Sequence, residues 1–331
     1  MRLPLACLAL LASLATAQAE CTGRNLIAAL PPDQLAALQA ATDAQPFAHG
    51  NLWHATRGTQ DITLIGTYHL DDARHAATVT ALTPALQKAT ALLVEAGPAE
   101  EAALKDLMTR EPQRLLITSG PTLPEALPPA QWQRLSDALN ARGIPAFMAA
   151  RMKPVFLSAI LAIPACNFAT AAAAAEAGLD KRLIAAATAQ GLPVQGLEPF
   201  DTIFAIFDQF TSADQIAMLS QTLDSDGGSD AMAKTLTDAY FAGNSRLFWE
   251  FSRQQALALP GMTKPEVDRE FALVEQALMS TRNANWIPVI EAAAAKGPIV
   301  IAFGALHLSG THGVLNLLQQ DGYQITAIAG P

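Results

Sequence analysis

Basic side chains are too few for a surface that binds nucleic acid. The chain has 21 Lys and Arg against 30 Asp and Glu, a formal net charge of −9, and nowhere do basic residues gather into a face. Apolar runs long enough to cross a membrane are missing as well. The most apolar internal stretch, "VFLSAILAIPACNFA", is short and interrupted by Pro164, so it reads as a buried helix end. There is no repeat of solenoid period and no long low-complexity linker. Cysteine is rare, with three in the whole chain, so the position of each one matters.

Those positions turn on the first nineteen residues, "MRLPLACLALLASLATAQA". Arg2, a short apolar stretch from Leu3 to Leu14 and an Ala17-Gln18-Ala19 cleavage site form a secretory signal. Cys7 comes too early for a lipoprotein signal, and Cys21 follows Ala-Glu rather than a small-residue box. The expectation is an exported protein, periplasmic or secreted, with a mature chain from about Glu20. Losing Arg2 takes the 21 basic residues to 20 and the net charge from −9 to −10. Cys21 and Cys166 then remain as an even pair in an oxidising compartment. A bridge between them closes a long loop, worth about 4–5 kcal/mol in the chain-entropy model. The alternative is two separate thiols.

Short apolar segments bounded by turn residues mark strands. They are "DITLIGTYH", "ALLVEAGP", "IPAFMA", "LPVQGLEP", "PIVIAFGALH" and "YQITAIAG", with "GNLWHATRG" as an edge strand before them. Helical patterns alternate with these at 74–90, 131–142, 180–190 and 312–321. In the third, Asp180 is a good N-cap and Gly191 suits the left-handed position after the helix. The tract "ATAAAAAEAG" favours helix, and "DSDGGSD" at 224–230 reads as a flexible loop. Alternating strand and helix predicts an α/β fold, a mostly parallel central sheet flanked by helices. From about 200 to 290 the pattern is helix after helix, a helical insertion or cap on a single domain spanning 20–331. Additions of this kind often cover an active site.

Two strands end alike, in "IGTYHL" and "FGALHL". Gly-x-x-His alone is a weak signal, but His69 and His307 both follow an apolar strand, with a Gly where the backbone turns. Two more strands end in Glu95 and Glu198. Carboxyl ends of parallel strands are where open α/β sheets bind ligands. Two imidazoles with one or two carboxylates make a ligand set for zinc, manganese or iron, and a remaining carboxylate can act as general base. Each residue also has a plainer reading: a turn histidine, or a glutamate that is solvated or caps the next helix. His75 and His312, close behind the paired histidines, read as surface residues. His49 and His54 receive no role.

The segments "IGTYHL", "LLVEAGP", "GLDKRLIAAATAQGLPVQGLEPFD", "RNANWIPVIEAA" and "AFGALHLSGTHGVLNLLQQDGYQI" resemble the TraB/GumN family, relatives of the Tiki proteases, over residues from about 50 to 328. The resemblance implies metal-dependent proteolysis, with His69, His307 and Glu95 around a divalent Mn, Zn, Co or Fe. It also implies a fold shared with erythromycin-esterase-like hydrolases and ChaN-like haem-binding proteins. The expectation is a metal-dependent, peptidase-like hydrolase acting on a peptide or small molecule. A haem or metal binder without catalysis is the alternative, and a partner-binding scaffold a third reading. Glu95, Glu198 and Arg282 are the candidate catalytic residues. Arg282, in "TRNANW", can grip a carboxylate with two parallel bonds as Lys cannot, and Asn283 can orient it, while Trp286 reads as core. Tyr68 and "VEAGP" depart from the family pattern. Tyr68 either points into the site or packs.

Overall fold

A computed structural model describes residues 23–168, 178–224 and 229–331. The expected signal sequence, Cys21, nearly all of the Ala-rich tract and the middle of "DSDGGSD" lie outside the described residues. Cys166 falls in the short helix Ala165–Phe168.

The sheet begins with a hairpin. Strands β1 (Leu52–Arg57) and β2 (Gln60–Thr67) pair antiparallel, and Gly58 makes the turn at φ 61°, a conformation that glycine takes without penalty. After β2 the chain alternates helix and strand. Helix His75–Lys88 leads to β3 (Ala91–Val94), and helix Leu179–Ala189 to β4 (Val194–Gly196). Helix Thr281–Ala294 leads to β5 (Ile299–Gly304), and helix Val314–Gln320 to β6 (Gln324–Ala327). The order across the sheet is β4-β3-β5-β2-β1-β6. The four strands from β4 to β2 run parallel, and β1 runs antiparallel to both neighbours. "GNLWHATRG" is therefore no edge strand. It is an inner strand, because the last segment of the chain returns to pair with it.

Burial follows the two-residue period of a pleated strand. Leu64, Leu93, Ile301 and Phe303 face one layer, packing with Trp286, Ile290 and Leu315. Ile65, Leu92, Val94 and Ala302 face the other, against Leu86, Leu183 and Tyr240. Both faces of β3 and β5 are covered, which is why "ALLV" and "IVIAF" are continuously apolar rather than alternating. Each large aliphatic side chain buried there contributes about 1.5–3 kcal/mol relative to exposure.

Between β3 and β4 the described chain is mostly helical and holds a core of its own, Leu127, Leu135, Leu139 and Leu157, joined by Leu219 from helix Ser212–Asp224. "IPAFMA" belongs to this part and is not a strand. Pro145 starts a one-turn helix, Ala146–Ala149, and leaves Phe147 79% exposed. A short apolar run does not by itself distinguish strand from helix, and among the described residues no neighbouring strand offers a ladder here. From Thr202 to Ala294 the described chain is helical with no strand, as the pattern predicts. Lys264–Glu275 runs into Thr281–Ala294 through a π-helical turn, Gln276–Ser280.

Candidate functional site

The parallel strands deliver their carboxyl ends to one edge of the sheet, and four candidate residues arrive there. His69 follows β2, Glu95 follows β3, Glu198 lies just beyond β4, and His307 ends a short 3-10 turn after β5. Arg282 and Asn283 enter from the first turn of Thr281–Ala294, immediately after the π-helical turn, a feature common at functional sites.

Each repeated glycine makes room for the other motif. A Cβ on Gly66 would lie 2.6 Å from Leu308 Cδ1 and 2.9 Å from Ala305 Cα, in the second loop. A Cβ on Gly304 would lie 3.3 Å from Glu95 Oε1, 3.4 Å from His69 Nε2 and 3.7 Å from His307 Cδ2. Gly66 thus lets the loops pack together, and Gly304 leaves open the space on which the titratable side chains converge.

The two rings are held differently. His69 Nδ1 donates to Asp180 Oδ1 at 3.3 Å, which turns Nε2 toward Gly304. Asp180 is not the N-cap: Gly178 caps the helix, and Asp180 stands in its first turn. The cause is backbone packing. Gly178 lies against the His69 carbonyl so closely that a Cβ would come within 2.3 Å of it, and Leu179 N–H donates to the Tyr68 carbonyl. His307 Nδ1 donates to Asn283 Oδ1 at 2.6 Å, while Asn283 Nδ2 donates to the His312 carbonyl, which fixes the amide's orientation. Trp286 lies against the His307 ring at 4.5 Å between centroids. Trp286 is core, as its size predicts, and its Nε1 also donates to Glu198.

Arg282 ties the glutamates together. Its Nη2 donates to Glu95 Oε2 at 2.7 Å, and Nε and Nη2 donate to Glu198. Nη1 donates to the Leu278 carbonyl and stands 3.3 Å from His307 Nε2. A planar fork of fixed donors allows this, and an ammonium would not. Glu198 is wholly engaged by Arg282 and Trp286 and does not line the cleft. The open cleft is bordered by Thr67, His69, Glu95, Glu101 and Asp180 over Val94, Ala302 and Phe303.

Charge follows from these partners. Desolvation pulls His69 down, but the Asp180 hydrogen bond and the charges of Glu95 and Asp180 outweigh it and raise it to about 9. Its side chain is 61% exposed, so solvent screens part of that effect. Burial pushes His307 down to about 4 against the pull of Glu95, with Arg282 and His69 adding to the fall. Burial opposes ionisation of Glu95, yet surrounding charge and the Gly304 N–H, at 2.6 Å from Oε1, bring it to about 2. His307 is itself protonated at the acid pH where Glu95 titrates, so the low value of Glu95 rests on His307, His69 and Arg282 together with the Gly304 N–H.

Tyr68 packs rather than entering the cleft: it stacks on Tyr240 at 5.2 Å and shares a hydrogen bond with Thr237. His75 is fully buried, not on the surface. Its Nε2 donates to the Leu70 carbonyl, and its ring lies among Tyr68, Tyr240 and Phe241. His312 is exposed, as expected. His49 and His54 pair with Asp43 and Asp61, away from the site.

The sequence model of the TraB/PrgY/gumN family matches residues 51–327. No curated protein and no solved structure matches the chain.

Proposed function

The chain belongs to the TraB/PrgY/gumN family, and from that premise we propose that it is a metal-dependent, peptidase-like hydrolase whose site is His69, Glu95 and His307. One observation carries the reading: His69 Nε2 and Glu95 Oε1 face the space at Gly304, His307 borders it through Cδ2, and each ring has its Nδ1 held by an acceptor. Ligating histidines are oriented in this way by their second nitrogen. His307 Nε2 and Glu95 Oε1 are 4.0 Å apart, and a cation about 2.0–2.2 Å from each ligand spans up to about 4 Å. Among the described residues no group of three His, Cys, Asp or Glu stands ready-made as a metal cage. The donor set fits in type, and binding would require His69 to give up its proton and close on the other two and Arg282 Nη1 to yield its place beside His307.

Such a cation, Mn, Zn, Co or Fe, would supply polarisation of a carbonyl oxygen and a charge that favours loss of a proton from water. The protein's own groups do the rest. Glu95, held ionised, can accept a proton from water at the cleft. Asp180 and Asn283 orient the two rings. Arg282 offers a fixed positive charge beside Glu95, and Glu198 with Trp286 keeps it aimed, which makes Glu198 a positioning residue. We also take the chain to be exported, with Cys21 bridged to Cys166. Peptide mapping without reductant that recovers both thiols free would remove the bridge.

Metal analysis tests the site: purified wild type beside His69→Ala and His307→Ala. Near-stoichiometric divalent metal in the wild type, lost in both variants, together with turnover of a mixed peptide library, is the expected result. Glu95→Gln should weaken metal binding while leaving the fold intact. Metal content unchanged by either histidine substitution sinks the proposal. An intense Soret band on adding haem, without turnover, replaces it with the binder reading.

A further inference from the structure

Thr67 ends β2, two residues before His69, and pairs in parallel register with Gly304. Cross-strand partners project to the same face of a sheet. That face is the cleft, because a Cβ on Gly304 would point at Glu95 Oε1 and His69 Nε2, and Thr67 lines the cleft with both residues. Thr67 is only 3% exposed, and its hydroxyl has no hydrogen-bond partner among the described residues. Two buried helix threonines behave differently: Thr42 and Thr235 each donate to a helix carbonyl one turn back.

An unpaired buried hydroxyl is unfavourable, and an isosteric valine would avoid the cost. Valine also suits a buried strand at least as well as threonine. Neither strand formation nor packing therefore accounts for the hydroxyl, whereas its position does. We propose that Thr67 is a ligand-contacting residue, whose hydroxyl anchors an oxygen atom lodged before Gly304, a water in the resting site and a substrate carbonyl or hydroxyl when one is bound. A hydroxyl both donates and accepts, so it can hold either kind of oxygen beside Glu95, which only accepts. The space fits an oxygen because a glycine, not a larger residue, stands opposite. The inference uses the shape of the cleft and no bound metal, and it rests on the hydrolase reading only for its effect on turnover.

The test compares the full chain with Thr67→Val and Thr67→Ser. Crystal structures should show an ordered oxygen within about 3.2 Å of the hydroxyl in the wild type and the serine variant, and none there in Thr67→Val. The valine variant should melt at or above the wild-type temperature, which loss of a structural hydrogen bond would not produce. Its turnover of a mixed peptide library should fall by about tenfold, the worth of one hydrogen bond, with serine restoring most of it. If no variant cleaves peptides but the oxygen still leaves with the hydroxyl, the hydrolase reading fails and the anchor stands. A wild-type crystal in which Thr67 bonds a protein carbonyl, or a valine variant that keeps the oxygen, overturns the anchor.

Discussion

His69 and His307 stand at the ends of adjacent parallel strands in the same Gly-x-x-His setting, yet the first is 61% exposed beside a carboxylate and the second 7% exposed beside an amide. One is pushed up toward the charged form and the other down toward the neutral one. The repeated motif places two rings, and residues far away in sequence give each ring its charge. The glycines divide the work in a similar way. Gly66 serves contact between the loops, and Gly304 serves the space between side chains. A motif repeated in sequence has therefore become a pair of unlike halves.

Removing Arg282 should disturb that pair most. Arg282→Ala leaves Glu95 and Glu198 facing each other in a partly buried setting without their shared cation. Loss of one partner from a buried pair costs about 3 kcal/mol or more, readable as a shift in the urea midpoint. Arg282→Lys should recover only part of it, since Lys cannot bond both glutamates through a fork. Full recovery by Lys would reduce Arg282 to a point charge.

The two glycines give the next contrast. Gly66→Ala forces a methyl into the backbone of the second loop and should cost about 2 kcal/mol through overpacking. Gly304→Ala meets only ordinary to tight contacts and should cost about 1 kcal/mol or less, and under the proposed metal reading it should also weaken metal binding. Equal losses of stability from both would mean that the glycines do the same job after all.

Acid should separate the loops by the smallest margin. The first loop is held by His75, which donates to Leu70, and the second by Asn283, which does not titrate. Burial is the main cause that keeps His75 below its ordinary value, while Asp72 pulls the other way. The unfolded chain therefore takes up this proton first. The His75 contribution is complete above about pH 6.5 and is lost as pH falls from there through the folded value, at no more than about 1.4 kcal/mol per pH unit for one proton. His75→Gln, which keeps an N–H donor, should flatten the difference in urea stability between pH 7 and pH 5. An unchanged slope would mean that other groups set the acid sensitivity.

Much of this site could be read in the sequence, because strand ends are visible as apolar runs that stop at Gly, His or Glu. His69, Glu95 and His307 meet as that reading expects, and Arg282 reaches two of the candidate acids. Other parts could not be read. Asp180 looks like a helix cap because its residue type is sufficient for one, and only the packing of Gly178 on the first loop shows the true arrangement. Glu198 stands at a strand end as predicted, but how far Arg282 and Trp286 would occupy it depends on tertiary approach. The burial of His75 comes from Tyr68, seven residues before it, and from Tyr240 and Phe241 on one distant helix, and no local pattern announces such a cluster. "IPAFMA" reads as a strand and is a helical turn, because apolar runs of that length serve both kinds of element.

The π-helical turn ahead of Arg282 has a consequence for phase. In an α-helix each residue advances about 100° around the axis, so the residues before Gln276 and those after Ser280 belong to two angular registers spliced together. Arg282, Asn283 and Trp286 take their bearing from the second register alone. The first half of that long rod can thus follow its own packing against Ser245–Leu257 while the second half stays trained on the sheet edge. The splice acts as a fixed offset between two gears, and a slip of one tooth would swing the guanidinium a quarter-turn or more away from both glutamates.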